Sequence, residues 1–130
     1  MSTPPPKVNP NRVLFVNDDE DWLTLLKMRC EKEGIQSDIS VNPIETLKTI
    51  QENQYSLVVV DLRMPKISGK EFVELLRNKV TTPIAVMTGY TKEDAEEMKV
   101  ATELMASNLI TGVFPKTTAL GLVSLIKHYM

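Results

Sequence analysis

Four apolar runs in this 130-residue chain each end in a short polar segment, and the four segments together hold the side chains needed for phosphoryl chemistry. VLFV at 13–16 leads into Asn17-Asp18-Asp19-Glu20-Asp21, and LVVV at 57–60 leads into Asp61. IAVMT at 84–88 ends in Thr88-Gly89, and the last run ends in Pro115-Lys116. The tips therefore offer acid, acid, hydroxyl and ammonium. If the first and third runs are neighbouring strands, their ends lie ~5 Å apart, and two carboxylates that close repel strongly in a partly dry site unless a cation joins them. Oxygen-only ligands favour Mg2+, which commonly takes one or two carboxylates and keeps its other positions for water and phosphate oxygens. A carboxylate can itself be the nucleophile and form an aspartyl phosphate, while a metal, a lysine and a hydroxyl neutralise the charge on the equatorial oxygens.

The elements that must position these groups follow from periodicity. From residue 12 onward, short apolar runs alternate with helical periods, the pattern of βαβ units around a parallel sheet. Trp22, Leu26 and Cys30, with Leu25 alongside, mark a first helix that ends at Gly34. A weaker strand over 35–41 precedes Asn42-Pro43-Ile44-Glu45, an N-cap and first-turn proline, so a second helix starts there with Ile44, Leu47 and Ile50 inward. LVVV lacks polar alternation, as expected of a strand covered on both faces, and is the candidate central strand. Ser68-Gly69-Lys70-Glu71 is a capping box opening a third helix with Phe72, Leu75 and Leu76 inward. Thr91 caps a fourth helix with Ala95, Met98, Ala101 and Met105 on one face, and Met98 and Met105 double as a candidate contact surface. A fifth strand over 110–114 and a last helix with Leu122, Val123 and Ile126 inward complete five βα repeats. Such repeats build an open, doubly wound α/β sheet with helices on both faces, and ligands bind beyond the carboxyl ends of its strands.

Composition narrows the function. Fifteen Lys and Arg against 17 Asp and Glu leave a net charge of -2, so attraction to a phosphate backbone cannot dominate binding, and nucleic acid is not expected as a direct partner. One cysteine and one histidine, Cys30 and His128, cannot supply a Cys/His zinc site. Cys30 reads as a small buried hydrophobe, His128 as a last-turn helix cation, Trp22 as packing, and Tyr90 as a loop aromatic near the site. The body holds no apolar run near the ~20 residues needed to span a bilayer, and no secretory core segment opens the chain, which points to the cytoplasm. Residues 1–11, with four prolines and no periodicity, read as a disordered leader, and 12–130 as one domain. No GxxxxGK[ST] or GxGxxG loop is present, which disfavours a nucleotide-driven kinase or GTPase.

VLFVNDDED, LVVVDLRMPKISG, IAVMTGY and VFPK, in this order and spacing over 12–130, resemble the receiver domain of two-component response regulators. The resemblance implies a flavodoxin-like (βα)5 fold with strand order 2-1-3-4-5. It also implies a phosphoacceptor role for Asp61, with a sensor histidine kinase as phosphodonor and Mg2+ as cofactor. Asp18 and Asp61 would ligate the metal together with the backbone carbonyl of Arg63. Thr88 would hydrogen-bond a phosphoryl oxygen, and Lys116 would pair with Asp61 and then with the phosphate. Pro65 and Gly69 match the loop after the third strand. Output would pass to another protein through the face from the fourth helix to the fifth strand, and self-phosphorylation and self-dephosphorylation would be the only catalysis.

Departures from the family pattern define the rival readings. Asn17 stands where the first of two acids is usual, which removes a negative charge near the metal and leaves open whether Asp18 or Asp19 ligates it. Val113, with Phe114 beside it, stands where an aromatic switch is usual, and Thr117 follows Lys116 where proline is typical. A receiver-like interaction module that takes no phosphate is one rival. An aspartyl-phosphate phosphatase is the other, although haloacid-dehalogenase-like enzymes carry a second acid where this chain has Arg63.

Overall fold

The computed structural model describes residues 12–89 and 95–129; the leader at 1–11, Tyr90 and the Thr91 cap lie outside them. Each apolar run forms a strand: Arg12–Val16 (β1), Gln36–Ser40 (β2), Leu57–Asp61 (β3), Ile84–Thr88 (β4) and Gly112–Pro115 (β5). All pairings are parallel, in the order β2-β1-β3-β4-β5. Five helices alternate with them: Glu20–Lys32 (α1), Pro43–Thr49 (α2), Gly69–Lys79 (α3), Ala95–Ala106 (α4) and Ala119–Tyr129 (α5). This is the doubly wound architecture expected from the repeats, in the flavodoxin-like strand order that the family resemblance implies.

The two central strands, β3 and β4, are buried at every position, which explains their unbroken apolar sequence. Side chains alternate across the sheet. Val13, Phe15, Leu57, Val59 and Met87 pack beneath α1 and α5 with Leu23, Leu26, Cys30, Leu122, Val123 and Ile126. Leu14, Val16, Val58, Val60 and Val86 pack on the opposite face with residues of α3 and α4. Among the described residues, no helix is long and apolar enough to cross a membrane.

Caps fix the helix starts. Asp19 accepts the Trp22 N–H at 3.1 Å, Asn42 accepts those of Ile44 and Glu45, and Ser68 accepts that of Glu71 at 3.1 Å. Gly34 follows α1 at φ +74°, the left-handed conformation that ends many helices, and Ile35 N–H closes back on the Cys30 carbonyl at 2.9 Å.

Several inward assignments are corrected by the packing. Ile44 is 44% exposed, because Pro43, Thr46 and Ile50 take the inner stripe of α2 and the turn after it. Thr46 is tolerated there since its hydroxyl lies 2.6 Å from Ser40 Oγ and donates to the Asn42 carbonyl. Leu75 is 38% exposed, since the buried stripe of α3 runs Gly69, Phe72, Val73, Leu76. Leu25 is exposed and Leu23 takes its place inside; on α4, Leu104 rather than Met105 is buried, with Ala101. Ala95 is exposed and Met98 half-buried.

Gly69 is required by close approach rather than by its backbone angles. A Cβ there would stand 2.6 Å from Leu62 Cα and 2.7 Å from the Leu62 carbonyl oxygen, so the chain between β3 and α3 folds back against the first residue of the helix. Gly69→Ala is expected to destabilise the fold by about 1–3 kcal/mol, the usual cost of forced overpacking, as read from urea unfolding.

Candidate functional site

Register gathers the polar tips. Val16 is level with Val60, Asp61 with Met87, and Thr88 with Pro115, so Asn17, Asp61, Thr88 and Lys116 all fall within a two-residue span at the same sheet edge. The Lys116 N–H donates to the Thr88 carbonyl at 2.8 Å, which carries the pairing one residue past the strands. Beyond this edge opens a cleft of about 710 Å³, lined by Asn17, Asp18, Asp19 and Trp22 from one side, Asp61, Arg63, Met64 and Pro65 from the middle, and Lys116 and Thr117 from the other.

Asp61 is the buried anion of this cleft, only 4% exposed. One carboxylate oxygen accepts the Arg63 backbone N–H at 2.9 Å, and the other lies 3.1 Å from Lys116 Nζ. Burial raises the carboxyl above the ordinary aspartate value and the Asp18 charge adds to this, against the lowering effect of the Arg63 N–H and the Lys116 ammonium. The ionised side chain is thus held at a net cost.

The acidic run after β1 divides its tasks. Asn17 is buried, and its side-chain oxygen accepts the Asp19 N–H at 2.9 Å. Asp19 in turn caps α1, which leaves Asp18 as the acid of the run whose charge reaches Asp61. Sequence spacing alone did not separate these roles; the cap three residues before Trp22 was the available signal.

Asp18, Asp61 and Lys116 converge, and Arg63 lies at the cleft's lip with its guanidinium Nε 3.0 Å from Glu97 on α4. Thr88 is not among the residues that line the cleft. Its buried hydroxyl lies 3.1 Å from the Gly89 carbonyl and 2.7 Å from Met98 Sδ on α4. Val113 packs on the α4 side of the sheet, whereas Phe114 is buried on the α1/α5 side, so the neighbouring aromatic points away from the switch position. Trp22 both lines the cleft and packs against the core. Burial pushes the Cys30 thiol up to about 11, in keeping with an inert core residue.

The donors suit a hard cation. Only oxygen ligands are available from Asp18, Asp61 and the Arg63 carbonyl, and among the described residues no group of three or more His, Cys, Asp or Glu side chains could hold an ion. A cation bound here would keep most of its positions for water or phosphate oxygens, which is the habit of Mg2+.

The response regulator receiver domain family matches residues 13–119, and the chain belongs to that family. Transcriptional regulatory protein SrrA of Staphylococcus aureus is 31% identical over 83 residues, which is 64% of this chain and 34% of that protein; the match spans about a third of the relative's length. The crystal structure of response regulator protein TrrA from Thermotoga maritima, in complex with Mg2+-BeF, superposes with a TM-score of 0.70 at 27% identity, covering 92% of this chain and 99% of the other. Chemotaxis protein CheY4 of Vibrio cholerae shares the fold, with a TM-score of 0.75 at 21% identity over 92% and 98% of the two chains.

Two outcomes follow from these charges. With divalent cations chelated, Asp61→Asn is expected to raise stability at pH 7 by about 1–3 kcal/mol, the cost of an incompletely compensated buried carboxylate. The folded-state pKa of Asp61 is raised, so the wild-type penalty is full above that pKa and fades as pH falls through it toward the ordinary aspartate value. The mutant's advantage in thermal unfolding should therefore shrink between pH 7 and pH 4. Asn17→Asp is expected to lower stability without metal and to tighten Mg2+ binding by roughly tenfold, since one more carboxylate at short range adds about 1 kcal/mol or more of attraction. Trp22, the sole tryptophan, gives the fluorescence signal for that titration.

Proposed function

We propose that this chain is a phosphoacceptor signalling domain that takes a phosphoryl group from the phosphohistidine of a sensor histidine kinase onto Asp61, with Mg2+ bound in the cleft. The observation that carries this reading is the buried Asp61 carboxylate paired with Lys116 at the floor of an open cleft, with Asp18 at its wall. A carboxylate kept at a cost, beside a cation, is an activated oxygen nucleophile.

In the transfer, an Asp61 oxygen forms a bond to phosphorus as the P–N bond of phosphohistidine breaks, and the electron pair leaves on the imidazole nitrogen. Lys116 neutralises the incoming phosphoryl charge from one side, and the Arg63 N–H holds the other Asp61 oxygen in place. Bound Mg2+, held by Asp18, Asp61 and the Arg63 carbonyl, would supply the further positive charge that the three equatorial oxygens require. The Thr88 hydroxyl stands one strand away and reaches those oxygens only after leaving its partners on Gly89 and α4. In this reading the protein works in the cytoplasm beside its histidine-kinase donor, and the state of Asp61 is passed on through contacts on the α4–β5 face to a downstream protein.

Incubation with acetyl phosphate and Mg2+, followed by intact-mass measurement, tests the reading. The wild-type protein is expected to gain one phosphoryl mass that Asp61→Asn lacks. Turnover of external phosphomonoesters would indicate a phosphatase instead. No gain with acetyl phosphate or a phosphorylated kinase would leave a receiver-like interaction module, for which Asn17 and Val113 are the motivating features.

A further inference from the structure

We infer that Met98 is a positioning residue for Thr88: its thioether holds the hydroxyl away from the cleft until a phosphoryl group competes for it. This rests on the phosphoacceptor reading of Asp61 and deepens it. Thr88 Oγ1 lies 2.7 Å from Met98 Sδ, in the first turn of the described α4, and Thr88 is only 1% exposed. The hydroxyl has one proton, shared between that sulfur and the Gly89 carbonyl at 3.1 Å. Neither partner belongs to the cleft lining, which includes Asp61 and Lys116 but not Thr88.

A sulfur is a weak acceptor, whereas a phosphoryl oxygen carries negative charge and accepts more strongly. The exchange therefore favours the phosphorylated cleft without a large barrier from the thioether. The preceding residue, Glu97, fastens the same turn of α4 to Arg63 at 3.0 Å. Consecutive α4 residues thus contact the two segments that flank Asp61, the loop after β3 and the tip of β4. When Thr88 turns to the cleft, α4 loses one of these two fastenings, so the helix that bears the partner-facing surface senses the occupancy of Asp61.

Met98→Leu keeps the volume and apolar character of the side chain and removes the acceptor, a swap that cores tolerate well. Two measurements test the assignment. In the free protein, three-bond couplings of Thr88 should report one χ1 rotamer in the wild type and rotamer averaging in Met98→Leu. Affinity for beryllofluoride with Mg2+ should rise roughly threefold to tenfold in Met98→Leu, the factor set by one modest hydrogen bond in a two-state equilibrium. That gain should vanish in a Thr88→Val background, which a general packing effect would not produce. An averaged Thr88 rotamer in the wild type, unchanged affinity in Met98→Leu, or the same gain with Thr88→Val would each overturn the role of Met98. A wild-type protein with a single Thr88 rotamer that binds no beryllofluoride would overturn the phosphoacceptor reading, and the function of the contact with it.

Discussion

A carboxylate placed at the buried end of a central strand is the constraint on which the site depends. β3 is covered on both faces, so its last residue, Asp61, leaves water almost completely. A lone ion there would be intolerable; the Arg63 N–H and the Lys116 ammonium make it merely costly. Both partners come from parallel-sheet geometry. The N–H belongs to the turn that must follow a strand ending in the sheet's interior, and the ammonium lies at the tip of β5, two strands away. Asp18, from the other neighbouring strand, opposes this balance. The site therefore holds more carboxylates than cations, and a divalent ion bound there would relieve the repulsion that the sheet's connectivity imposes.

That connectivity explains why the acids are separated so widely in sequence yet meet. β1 and β3 are adjacent because the chain crosses β1 between β2 and β3, and at this switch point the helices lie on opposite faces and leave the strand tips uncovered. The two helices against one face, α1 and α5, and those against the other are therefore held apart at the edge where Asp61 emerges. A cleft at this position needs no special loop; it is what remains when the helices diverge.

Much of this was legible in the sequence for a physical reason: strands buried on both faces leave unbroken apolar runs, and the residue after each run must lie at the sheet's edge. That rule puts the acidic run after β1, Asp61 and Lys116 at one edge, while the strand order that makes them neighbours came with the family resemblance and the choice of Asp18 over Asp19 with the cap of α1. Helix faces were less legible. Ile44 and Leu75 were assigned inward because only apolar residues were counted, whereas α2 turns a hydrogen-bonded Thr46 inward and α3 turns Gly69 inward, each shifting the buried stripe away from the neighbouring hydrophobe. Thr88 shows a different limit. Its position at the tip of β4 follows from the pattern, but the direction of its hydroxyl depends on a rotamer and on a partner ten residues away in α4, neither of which periodicity encodes.

The same alternation that makes strands legible also decides which side chains of β4 and β5 meet α4. Along β5, Val113 faces the side that α4 covers and Phe114 faces α1 and α5, because consecutive side chains point to opposite faces. Phe114 cannot stand in for an aromatic at 113 without a one-residue slip of β5, and a slip would displace Lys116 from Asp61. A bulky ring between Thr88 and the β5 surface is thus unavailable. The contact from the β4 tip to α4 is instead direct, between a hydroxyl and a thioether, and it spans β4 and α4 without using β5 at all. Such a contact ties the rotamer of one side chain to the first described turn of α4, on the N-terminal side of the buried Ala101 and Leu104.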